Sequence, residues 1–300
     1  MLQRDFTEEQ HMFRDAYRKF LAAEIVPQME AWREAGIVDR SAFRKAGEQG
    51  FLMVWPDEKY GGMGDPDFRF EQIIIEETSY ARAGDWYNTL HGRLVGPYLT
   101  RFGSEEQCQR LLPKCVSWEA ILAIAMTEPD AGSDLAGMRT TAVEQGDHWV
   151  LNGSKTFISN GINADIIIVA AKTDPDNNPH HMTLFIVERG MAGFERGRNL
   201  KKKGLAEERL IGAAGYLSAA QLSWNLTLDY VKERKAFGKT LSAFQNTQFK
   251  LAELRTELDL AQVYVDQCVA AFNAGQLTAV DAAKAKLVSS ELQVAAADLG

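Results

Sequence analysis

The spacing of apolar residues changes period twice along this 300-residue chain, and that change restricts the fold more than any single motif does. Up to about residue 120 the spacing is helical. Phe13, Tyr17, Phe20 and Leu21 follow Thr7-Glu8-Glu9-Gln10, which has capping-box spacing, and the same period resumes over Glu71 to Tyr80 and Gln107 to Leu112. The glycines of Gly61-Gly62-Met63-Gly64 mark a loop. From residue 121 short apolar runs take over. Trp149-Val150-Leu151 and Thr156-Phe157-Ile158 flank Asn152-Gly153, a pair suited to a type I′ turn, so a hairpin is expected there. Asp165-Ile166-Ile167-Ile168-Val169-Ala170 reads as a strand buried on both faces and Met182-Thr183-Leu184-Phe185-Ile186-Val187 as another, with the polar loop Asp174-Pro175-Asp176-Asn177-Asn178-Pro179 between them. Beyond residue 205 the helical period returns. Leu251, Leu254, Leu258, Ala261, Val265, Cys268 and Phe272 form a seam, Gly275 ends it, and Thr278 to Asp281 opens another helix. The expected class is α+β: an N-terminal helical domain (1–120), a central β domain (121–204) and a C-terminal helical bundle (205–300).

Composition removes several functions. A net charge of −8 argues against a nucleic-acid surface. Cys108, Cys115 and Cys268 have neither the even count of a disulfide framework nor a Cys-x-x-Cys spacing, and the histidines, His180-His181 among them, make no helical pair, so no metal is expected. MLQRDFTEEQ is not a signal peptide and no apolar run reaches the length of a membrane span, which together point to a cytoplasmic setting. No Gly-x-Gly-x-x-Gly or Gly-x-Ser-x-Gly is present, and Gly153-Ser154-Lys155-Thr156 lacks the upstream glycine of a phosphate loop.

One stretch stands out. The apolar run Ile121-Leu122-Ala123-Ile124-Ala125 breaks into Met126-Thr127-Glu128-Pro129-Asp130-Ala131-Gly132-Ser133-Asp134. Read locally, Glu128-Pro129-Asp130 is a turn and Ser133 or Asp134 a cap; the same polarity also suits the rim of a site. With Lys155-Thr156-Phe157-Ile158-Ser159-Asn160-Gly161, then Glu233-Arg234-Lys235-Ala236-Phe237-Gly238-Lys239, and upstream Glu58-Lys59-Tyr60-Gly61-Gly62, the stretch resembles the acyl-CoA dehydrogenase family. Order and approximate spacing agree over nearly the whole chain.

The resemblance implies FAD as cofactor, an acyl-CoA thioester as substrate, an electron-transfer flavoprotein as electron acceptor, and a homo-oligomer, tetramer or dimer. By position, Met126 and Thr127 would hydrogen-bond the flavin ring, Phe157 would shield one side of it, where many relatives carry Trp, and Ser159 would sit near the hydride-accepting nitrogen. Arg234, Phe237 and Gln245 match positions that bind the pyrophosphate and adenine side across a subunit interface. For Arg234 a solvated helix end, where a cation meets the helix dipole, is an equally local reading. Ser133 and Arg209 would contact the substrate. In Leu205-Ala206-Glu207-Glu208-Arg209-Leu210-Ile211-Gly212, Glu208 matches the catalytic base of the long-chain and isovaleryl branches. On a helix Glu208 shares a face with Ile211, Gly212 and Gly215, which leaves room beside a carboxylate; tight helix packing explains the glycines as well. Glu207 instead lines up with Leu210, Ile211 and Ala214, a face that reads as core edge.

The implied activity is FAD-dependent α,β-dehydrogenation of an acyl-CoA thioester. Against the family pattern, several tens of residues are missing between Lys203-Gly204-Leu205 and Glu207-Glu208, and the Gly-rich flavin-binding segment has no counterpart before Gly300. Two alternatives therefore stand beside it: a catalytically impaired or non-catalytic helical scaffold derived from that family, and an acyl-CoA oxidase.

Overall fold

A computed structural model describes residues 4–132, 134–174, 181–197 and 209–299. Contacts divide the chain into two compact units: Met1–Met29, Pro66–Trp86 and Ala206–Gly300 form one, Glu30–Asp65 and Tyr87–Leu205 the other.

The first unit is helical. Thr7 caps the Glu8–Phe20 helix as expected: its hydroxyl accepts the Gln10 N–H, and the Gln10 side chain accepts the Thr7 N–H. Tyr17, Phe20 and Leu21 are buried, so the helical period names the buried face. That helix is tied to the Phe68–Tyr80 helix by charge as well as by apolar contact. Glu76 and Glu77, whose side chains are only 3% exposed, receive guanidinium forks from Arg4, Arg14 and Arg18. Two adjacent buried carboxylates tolerate one another because each is matched by a cation at hydrogen-bond distance. Arg4 also bonds Asp266 on the Gln245–Asn273 helix, whose buried residues include the expected seam from Leu251 to Cys268, while Phe272 meets Phe68 edge-on at 5.0 Å. Gly275, at φ 67°, ends that helix, and Thr278 and Asp281 cap the Ala279–Leu299 helix through reciprocal bonds. Leu210, Ile211 and Ala214 are buried, while Glu207, which shares their helical face by spacing, lies outside the described residues.

The second unit carries a five-stranded mixed sheet beside the helices Arg40–Glu48 and Glu105–Ser117. Its strands are β1 (Leu122–Ala125), β2 (Thr141–Gln145), β3 (His148–Asn152), β4 (Ile166–Lys172) and β5 (Met182–Glu188). β4 runs parallel to β1 and antiparallel to β5, and is buried along almost its whole length, as its apolar run requires.

The hairpin lies elsewhere than expected. β2 pairs with β3 around Gly146-Asp147, with Gly146 at φ 68°, while Asn152 is the last residue of β3 and pairs with Thr141. Thr156-Phe157-Ile158 forms no strand. Both glycine pairs suit a tight turn; the one flanked by two strands that find each other decides the register. Gly153 meets a different demand, since a Cβ there would collide with Thr140 Oγ1 and fall 2.7 Å from Thr140 Cα.

Candidate active site

The end of β1 becomes a site because of what crosses it. Leu122-Ala123-Ile124-Ala125 alternates large and small side chains, and its alanine face is covered by the chain on its way into β4. Ala123, Ala125, Ala164 and Ile167 form one buried cluster, with Ile158, Val169 and Phe194 packed against it. Small side chains let the segment 156–165 lie close. That places Thr156-Phe157-Ile158-Ser159 beside Met126-Thr127, residues about thirty positions apart.

Three polar contacts fix the register of the two segments. The Thr156 N–H donates to the Thr127 carbonyl at 2.9 Å. Lys155 Nζ donates to the Met126 carbonyl at 3.1 Å and to Glu128 Oε1 at 2.8 Å. The Glu128 carboxylate also accepts the Arg139 N–H at 2.6 Å and the Thr140 N–H at 3.0 Å. Burial works against ionising Glu128, yet the bonds from Lys155, Thr140 and Arg139 overcome it and hold the group down to about 2. Burial also lowers the Lys155 ammonium, with Glu128 opposing.

The turn after Ser159 is held separately. Asp165 accepts the Ile121 N–H at 2.9 Å, Arg40 Nη2 at 2.8 Å and Arg189 Nε at 2.7 Å, and these bonds keep its carboxyl below the usual range against the opposing effect of burial. Arg40, Arg189 and Arg196 donate in addition to the carbonyls of Gly161, Asn163 and Ala164. At the other edge of β1, fully buried His91 accepts the Leu122 N–H on Nδ1 at 3.0 Å, which leaves Nε2–H to donate to the Cys115 carbonyl at 2.9 Å. Burial holds this imidazole down to about 4.

Glu128-Pro129-Asp130-Ala131 closes as a tight turn through reciprocal backbone bonds between Glu128 and Ala131, and Asp134 caps the short turn Leu135–Gly137. The local reading of that stretch is therefore right, and it does not compete with the other: a turn fixed by a buried carboxylate is what presents Met126 and Thr127. Both are half-buried, as is Ser159. Phe157 has φ +57° and is 40% exposed. A left-handed backbone at an aromatic residue costs about 1–2 kcal/mol and persists only where neighbours over-determine it. A flat, polar-edged ring needs hydrogen-bonding groups beside an apolar wall, and this frame supplies both: the Thr127 and Ser159 hydroxyls and the Phe157 ring. The residues present fit a flavin.

The remaining expected site residues lie in the helical unit or outside the described residues. Glu208 and Ser133 fall outside them. Arg209 is exposed as the first residue of the Arg209–Glu233 helix. A Cβ on Gly215 would sit 3.6 Å from Ile75 Cγ2 and one on Gly212 3.4 Å from Tyr216 Cε2, ordinary contacts, so neither glycine is demanded by packing among the described residues. Arg234 follows the helix and leads into a two-stranded hairpin, Lys235–Ala236 with Lys239–Thr240, whose turn residues Phe237 and Gly238 have φ 51° and 78°. Two positive φ values are those of a type I′ turn. Phe237 at its tip is 95% exposed, and Arg234 and Gln245 are exposed as well.

The Lys155–Glu128 pair, the Asp165 cluster and His91 carry no local signal in the sequence. A signal existed only for the hairpin, in Gly146-Asp147 between two runs of strand-like length.

Comparison with known proteins adds to this geometry. Residues 7–119 match the acyl-CoA dehydrogenase N-terminal domain, 123–211 the middle domain and 195–300 the C-terminal domain. The chain is 38% identical to the mitochondrial long-chain specific acyl-CoA dehydrogenase of Sus scrofa, over 97% of this chain and 76% of that protein. That alignment runs over 329 residues, more than the 300 available here, so it passes through residues of the relative that have no counterpart in this chain. Identity to the mitochondrial isovaleryl-CoA dehydrogenase of Pongo abelii is 33%, over 95% of this chain and 77% of that one. The crystal structure of an acyl-CoA dehydrogenase from Geobacillus kaustophilus superposes with a TM-score of 0.93 at 42% identity, covering 99% of this chain and 88% of that one.

Proposed function

The chain belongs to the acyl-CoA dehydrogenase family, whose members are FAD-dependent flavoproteins, and on that premise we propose that it catalyses α,β-dehydrogenation of an acyl-CoA thioester with Glu208 as the base. The observation that carries the reading is the clamping of Met126-Thr127 against Thr156-Phe157-Ile158-Ser159, two segments distant in sequence, around a strained and exposed aromatic residue. FAD, when bound, supplies the acceptor for the hydride that leaves the substrate β-carbon. Met126 and Thr127 would hold the polar edge of the ring, Phe157 would shield one side of it, and Ser159 would serve its hydride-accepting part. Arg234, with a fork suited to a pyrophosphate, acts together with Phe237 and Gln245 on the nucleotide end. An aromatic tip exposed to 95% calls for a covering partner, which agrees with this hairpin completing a site in another copy of a homo-oligomer. Ser133 and Arg209 act on the substrate.

Glu208 takes the α-proton. A thioester α-proton is weakly acidic, so the carboxylate must be positioned and desolvated to act on it. The division into 1–120, 121–204 and 205–300, an electron-transfer flavoprotein as acceptor and a cytoplasmic setting belong to the same reading. Among the described residues no helix is long and apolar enough to cross a membrane.

A second reading is a scaffold of this family with damaged chemistry, favoured by the relatives' residues that have no counterpart here. Anaerobic addition of a panel of acyl-CoAs to the FAD-loaded protein separates the two. Bleaching of the flavin band by one chain length supports the dehydrogenase, and Glu208→Gln is expected to retain FAD while slowing that bleaching by about a hundredfold or more. An intact flavin spectrum that no acyl-CoA bleaches favours the scaffold, and full bleaching in Glu208→Gln refutes the assignment of the base.

A further inference from the structure

The Lys155–Glu128 pair is buried, with side chains 10% and 4% exposed, and the proposed chemistry gives neither residue a task. Stability alone is a weak explanation for such a pair. Removing two ions from water offsets most of their attraction, and apolar side chains of similar volume often serve as well. What an apolar replacement cannot supply is direction. The ammonium bonds a backbone carbonyl on the β1 end, Met126 O, and a carboxylate that is itself fixed by the Arg139 and Thr140 N–H groups. Lys155 immediately precedes Thr156, whose N–H reaches Thr127 O, and Thr156 precedes the strained Phe157. One side chain thus anchors the start of the second segment to the carbonyl on which the first one turns. Met126 and Lys155 are 29 positions apart. With the anchor removed, the left-handed backbone at Phe157 has less to hold it there.

We infer that Lys155, paired with Glu128, is a positioning residue that sets FAD affinity by holding segments 126–127 and 156–159 in one frame without touching the reacting atoms. This rests on the flavin reading of those segments. The reading itself is checked first, by titrating FAD into the wild-type apoprotein and following the quenching of flavin fluorescence.

The test then compares Lys155→Met with Leu111→Ala, a cavity variant at a fully buried position of the Glu105–Ser117 helix, outside both segments in sequence. Three quantities are measured on each: FAD dissociation constant, visible circular dichroism of the bound flavin, and amide exchange of the peptide spanning 155–158 in the apoprotein. Lys155→Met is expected to weaken FAD binding about tenfold or more, to alter the visible dichroism and to speed amide exchange at Thr156. Leu111→Ala is expected to lower Tm while leaving FAD affinity within about twofold. Unchanged exchange in Lys155→Met overturns the inference, and so does faster exchange with wild-type FAD affinity. Equal loss of affinity in both variants also overturns it, because affinity would then follow general stability. A wild-type protein that takes up no FAD overturns it together with the flavin reading, and that failure is recognised before any variant is made.

Discussion

His91 holds the start of β1, and its protonation should loosen the strand that delivers Met126 and Thr127. Its Nδ1 accepts the Leu122 N–H and can do so only while unprotonated; burial lowers the imidazole from 6.5 to about 4, with the Cys115 carbonyl and Asp165 opposing. The sign follows from linkage. Between those two values the unfolded chain binds a proton that the folded chain does not, so the contribution is complete above about pH 6.5 and is lost as pH falls toward 4. The full difference is about 3 kcal/mol, and at about pH 5 roughly 2 kcal/mol of it is gone. The carboxylates held low by hydrogen bonds, Glu128 and Asp165 among them, lose their contributions at more acid pH, which leaves this window to the histidine. The assay is chemical unfolding of wild type and His91→Gln at intervals from about pH 7.5 to about pH 5, followed by tryptophan fluorescence. The stability advantage of wild type should shrink by about 2 kcal/mol across that range. A difference that stays constant would refute the argument, since it would mean that the imidazole titrates alike in the folded and unfolded chain.

Two further outcomes are expected. Gly153→Ala should destabilise by about 1–3 kcal/mol, read as a fall in Tm, because the new methyl meets the Thr140 backbone, which cannot swing aside as a flexible side chain would. FAD affinity should fall with it, since Thr140 also donates to Glu128; a wild-type Tm would show that the loop yields freely. Phe237→Ala should leave Tm within about 1 °C of wild type, the side chain being solvent-exposed, yet weaken FAD binding in a titration. Unchanged affinity would remove Phe237 from the nucleotide site.

What the sequence determined by itself is local. The Thr7 and Thr278 caps, the stop at Gly275, the buried seam from Leu251 to Cys268 and the doubly buried run at Ile166 to Ala170 follow from periods and end chemistry that act within a turn or a strand. The ordered motifs around Met126, Phe157 and Arg234 marked the family. Tertiary structure decided which of these local possibilities were used. Asn152-Gly153 and Gly146-Asp147 are both acceptable turns, and the choice fell to the pair whose flanks meet as β2 and β3. Glu128 is a turn residue by sequence and a buried anchor in the fold, because the alanine face of β1 admits the crossover that carries Lys155 to it. A side chain's partner depends on where the backbone passes, and for residues 27 apart no local period encodes that.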